Sequence, residues 1–86
     1  MTYNYQTQRA NLFTEEGTRL FLKVRDHTRE LLKNGGAVRL QEAAFGQGDP
    51  WDAIACLDRM VELGELREVI QQGQVPGQYR IFVSAK

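Results

Sequence analysis

The sequence predicts an α+β fold, with three helices followed by a two-stranded β-hairpin. Three stretches predict it. Asp49 to Leu66, DPWDAIACLDRMVELGEL, reads as one helix bounded at both ends. From about Glu15 to Lys33 the apolar residues recur at helical spacing. After Gly64 the pattern alternates, in LREVIQ and again in YRIFVS.

Residues 1–11 are polar, without periodicity, and predict a flexible arm ahead of a domain spanning 12–86. Its tyrosines, Tyr3 and Tyr5, suit docking on a partner; a frayed end is the plainer alternative. Thr14, followed by Glu15 and Glu16, marks the first helix start: a hydroxyl cap, then carboxylates near the positive end of the helix dipole. Leu20, Phe21, Val24, Leu31 and Leu32 line one face, with Thr28 at the intervening turn. Asn34-Gly35-Gly36 ends the helix. Ala37 to Leu40 is either a brief strand or the entry to a second helix, Gln41 to Phe45. Gly46-Gln47-Gly48 breaks that helix. Asp49 then caps the third, Pro50 suits its first position, and Asp52 stands where a capping box places its acid. Ala53, Leu57, Met60 and Val61 face inward, and Gly64 supplies the left-handed end. In the hairpin, Pro76-Gly77 suits a type II turn.

Eighty-six residues make one small domain with a modest core. Formal net charge is zero, without the basic excess of a dedicated nucleic-acid binder. One cysteine, Cys56, excludes an internal disulfide and fits a reducing, cytoplasmic setting. No apolar run reaches membrane-spanning length, and the polar N-terminus lacks a signal-peptide core. His27 and Cys56 are the sole histidine and cysteine, too few for a structural zinc site. No nucleophile–base–acid trio or phosphate-binding glycine loop is legible. The reading is non-catalytic, with no cofactor and no metal. The first helix and the arm offer surface for a homodimer.

The order of elements resembles the winged helix-turn-helix superfamily of many bacterial transcription regulators. GAVRLQEAA, DPWDAIACLDRMVELGEL and GQYRIFV carry the resemblance. It implies that an alanine near Ala44 packs the two motif helices together and that Leu57 and Met60 are buried. It also implies DNA binding, with Trp51, Asp52, Ile54 and Ala55 toward the major groove and Arg59 on the same surface. Gln72, Gln74 and Arg80 in the wing, with Arg25 and Arg29 on the first helix, would then meet phosphates.

Residue chemistry supports a second reading. None of Trp51, Asp52, Ile54 and Ala55 is a usual reader of base edges. Residues 1–34 hold six bases and four acids, whereas 35–86, the half that would meet DNA, hold five bases and seven acids. That half lacks the charge that drives phosphate binding. Trp51, Ile54 and Ala55 instead make an apolar patch suited to a protein partner, unless Trp51 folds back into a small core. Arg25, Arg29 and Lys33 make either a basic stripe or a solvated face paired with Asp26 and Glu30.

Overall fold

A computed structural model describes residues 3–44, 46, 48–69 and 80–85. In chain order the elements are α1 (Tyr5–Gln8), a 3-10 turn (Arg9–Phe13), α2 (Glu15–Gly35), β1 (Ala37–Arg39), α3 (Leu40–Ala44), α4 (Pro50–Glu62), β2 (Leu66–Val69) and β3 (Ile81–Ser84). The architecture is α+β, as the periodicity predicts, but with one more helix and one more strand than expected.

The additional strand is β1. It pairs antiparallel with β3, and β3 pairs antiparallel with β2, giving the order β1-β3-β2. Phe82 lies opposite Val38 on one side and Glu68 on the other. Ala37 to Leu40 thus satisfies both alternatives, a strand over three residues and a helix starting at Leu40. The expected turn at Pro76-Gly77 lies outside the described residues, as do Phe45, Gln47 and the expected strand residues Ile70 and Tyr79.

The additional helix is α1. Where an arm was expected, Asn4 caps α1 through its side chain and the 3-10 turn continues to Phe13. The turn meets α2 at close range. Thr14 Oγ1 accepts the Gly17 N–H at 3.0 Å while donating to the Asn11 carbonyl at 2.8 Å. This cap forms for the reason the sequence gives: a short hydroxyl side chain satisfies an orphan amide of the first turn.

Helix α4 is bounded as its sequence requires. Asp49 accepts the amides of Trp51 at 2.9 Å and Asp52 at 3.2 Å. Gly64, at φ 78°, turns the chain out of the helix. The Glu65 amide then returns to the Met60 carbonyl at 2.9 Å.

Leu12, Val24, Val38, Ala43, Ala55, Cys56, Leu57, Met60, Leu66 and Phe82 form the core, between α2, α4 and one face of the sheet. Each large apolar side chain buried there contributes roughly 1.5–3 kcal/mol. Leu57 and Met60 are buried as the resemblance implies, and the fully buried alanine of α3 is Ala43, next to Ala44. No described helix is long and apolar enough to cross a membrane.

Candidate interaction face on helix α4

The outward side of α4 is covered by residues 3–13 of the same chain. Tyr3 donates its hydroxyl to Asp58 Oδ2 at 2.6 Å. The edge of its ring meets Trp51, with centroids 6.4 Å apart and planes at 72°. Tyr5 donates to Glu62 Oε1 at 3.0 Å, and Arg9 Nε donates to the same oxygen at 3.1 Å. Asn11 Nδ2 donates to Asp52 Oδ1 at 3.4 Å. Asp58 and Glu62, four residues apart, share one side of α4, and they and Asp52 each accept from the segment.

These contacts shift proton affinities. Burial, then the bond to Asp58, pushes the Tyr3 hydroxyl well above its ordinary value. The same pair of causes raises Tyr5, with Glu62 as its acceptor. Bonding from Arg59, helped by Arg9 and Tyr5, lowers the Glu62 carboxyl although desolvation opposes it. The Cys56 thiol, inside the core, is pushed up to about 12 by burial and by Asp52.

Arg80 ties this face to the sheet. Its guanidinium donates to Asp58 Oδ1 at 2.7 Å and Glu68 Oε1 at 2.8 Å, and stands 5.0 Å from the Phe82 ring centroid. Burial disfavours the charge, but the two carboxylates outweigh it and hold the arginine above its usual value. Asp58 therefore joins three parts of the chain: α4, the N-terminal segment through Tyr3, and, through Arg80, the residue that leads into β3.

The expected site residues do not share one fate. Trp51 and Ile54 are half-buried and outside the core cluster, so they remain available at the edge of the face. Asp52 is half-buried beneath Asn11. Ala55 corrects the expectation: it is fully buried and part of the core cluster, three residues from both Asp52 and Asp58, which bond the N-terminal segment. It neither faces a groove nor joins an exposed patch. Gln72 and Gln74 lie outside the described residues.

The expected cations are engaged. Arg80, at 15 % side-chain exposure, is held by Asp58 and Glu68. Arg59 pairs with Glu62 and lies over the Phe13 ring at 5.3 Å. Arg25 pairs with Asp26 at 3.4 Å, as one alternative had it, but Arg29 bonds Glu65 beyond α4 rather than Glu30. Exposed pairs open at little cost, so Arg25 and Arg29 are only loosely held, whereas Arg80 is not. Among the described residues, the cations without a carboxylate partner are Lys23, Lys33 and Arg67, none of them on α4.

Residue periodicity missed Arg9, Asn11, Phe13, Asp58 and Glu62. One signal was present: Gly17, a helix-weakening residue inside the first turn of α2. A Cβ there would lie 1.8 Å from the Asn11 carbonyl oxygen. Glycine at 17 is what lets the segment lie against α2. Phe13 is 57 % exposed despite the guanidinium of Arg9 at 4.9 Å from its ring centroid.

Two depressions lie on the described surface, one beside the segment and one away from it. One, of about 320 Å³, is lined by Asn11, Thr14, Glu16, Gly17, Leu20 and Asp52. The other lies between α2 and α3 beside His27 and Leu31, where His27 Nε2 donates to the Glu42 carbonyl at 3.1 Å. Among the described residues no group of three or more His, Cys, Asp or Glu side chains is placed to hold a metal ion. Comparison with protein-family models, with curated proteins and with solved structures returned no match.

Proposed function

We propose that this chain is a small, non-catalytic winged-helix-type module that binds a protein partner through the outward side of α4. One observation carries the reading. From Trp51 to Val61, α4 has no exposed residue, and its three outward carboxylates already accept hydrogen bonds within the chain. A helix so placed offers bases no donor fork and offers phosphate no free cation. Trp51 and Ile54, one turn apart and half-buried, supply apolar and aromatic surface of the kind that anchors protein interfaces.

DNA binding is the second reading. It is favoured by the connectivity α2-β1-α3-α4-β2-β3 with β1 beside β3, an order that matches the winged-helix resemblance. It requires the N-terminal segment to leave α4.

Titration against mixed-sequence duplex DNA separates the two. The protein reading expects no binding even at about 50 mM salt, where phosphate contacts are strong. Binding that weakens steeply as salt rises would overturn it.

A further inference from the structure

We infer that the side of α4 beneath residues 3–13 is a peptide-binding face, and that its partner is a segment of another protein bearing tyrosine and arginine. The inference rests on the protein-binding reading and names the chemistry of the partner. The segment now on that face serves as the template. Tyr3, Tyr5, Arg9 and Asn11 each present a donor; Asp58 accepts from Tyr3, Glu62 from both Tyr5 and Arg9, and Asp52 from Asn11. The face supplies carboxylates and an aromatic edge, Trp51, while the occupant supplies hydroxyls, a guanidinium and an aromatic ring. A phosphate-bearing ligand is disfavoured by the same carboxylates.

The occupant's polar contacts with α4 are exchangeable. Its hydrogen bonds to α4 are mostly made by exposed or half-buried side chains. Such bonds contribute little individually. Leu12 is the one fully buried residue of the segment. The segment competes by being tethered, which gives it an effective concentration in the millimolar range. A free partner with the same donors and additional contacts to Trp51 and Ile54 displaces it.

The test uses the full chain. Tyr3→Phe, Tyr5→Phe and Arg9→Gln together remove the donors from the tethered segment while keeping its apolar bulk. A labelled synthetic peptide spanning Tyr3–Phe13 in the native sequence is the probe, read by fluorescence anisotropy, with circular dichroism as the check on folding. The triple variant is expected to bind the peptide at least about tenfold more tightly than the unaltered chain. Adding Asp58→Asn and Glu62→Gln to the variant is expected to lose that gain. A variant that binds no better than the unaltered chain, or whose binding ignores the two carboxylate changes, overturns the inference. So does an unaltered chain that elutes as a dimer exchanging its N-terminal segments, because the face would then belong to a second copy. None of these failures restores DNA binding, which the duplex titration reads separately.

Discussion

Gly17 and Asn11 are in backbone contact, so close that a Cβ on Gly17 would stand 1.8 Å from the Asn11 carbonyl oxygen. The backbone of Asn11 cannot yield without moving the 3-10 turn. Alanine is the better helix former by about 1 kcal/mol, so propensity alone makes Gly17→Ala stabilising. The contact predicts the reverse for the N-terminal segment. Gly17→Ala should release residues 3–13 from α4 while α2 stays helical. Limited proteolysis should then cut within the segment sooner than in the unaltered chain. Equal cleavage rates, with a raised Tm, would show that the approach is not tight.

Asp58 and Arg80 are each 15 % exposed at the side chain. Removing one member leaves the other's charge poorly solvated. Asp58→Ala should therefore cost about 3 kcal/mol, the low end for a broken buried pair, because Glu68 still holds Arg80. Replacing both residues should cost less than the sum of the single changes. Urea unfolding of the four forms measures this coupling; additive costs would mean that the pair is not coupled.

Glu62 and the two tyrosines give the segment a pH window. The Glu62 carboxyl is lowered in the folded chain, so its contribution is complete above the ordinary carboxylate value and is lost as pH falls below it, from about 4.3 downward. Tyr3 and Tyr5 are raised, so theirs is complete below the ordinary tyrosine value, about 10, and is lost as pH rises beyond it. Trp51 fluorescence, reporting on the Tyr3 contact, should change at both ends and stay level between. A flat trace across both ends would count against the segment's polar contacts.

Thr28 is fully buried on α2, and among the described residues its Oγ1 has no hydrogen-bond partner. Valine has nearly the same shape without the hydroxyl. Thr28→Val should stabilise the chain by about 1 kcal/mol, visible as a raised urea midpoint at unchanged slope. A loss of stability would mean that the hydroxyl is satisfied in solution.

Cys56 is buried, with its thiol pushed up to about 12. The thiolate is the reactive form, so the native chain should resist a thiol reagent at neutral pH and react fully in denaturant. Rapid native labelling would show that α4 opens often.

Much of the fold was legible because its signals are local. Thr14 and Asp49 cap the amides beside them, Gly36 and Gly64 take the left-handed positions that end α2 and α4, and Leu57 and Met60 recur at helical spacing. β1 was ambiguous because three residues carry too little pattern; pairing with β3 decides it. The candidate face was less legible. Trp51 and Ile54 are where helical spacing puts them, but spacing alone does not say that a fourth side of α4 is covered.

The sequence by itself determined where α2 and α4 begin and end and which of their faces turn inward, since caps and periodicity act within a few residues. Only the tertiary structure decided that residues 3–13 lie across α4, that Ala55 is buried and that Arg80 is held by Asp58 and Glu68. Tyr3 and Asp58 are separated by 55 positions in the chain. No local rule relates them; they meet because α2 returns the chain past its own beginning, and because glycine at 17 leaves room for the two backbones to touch.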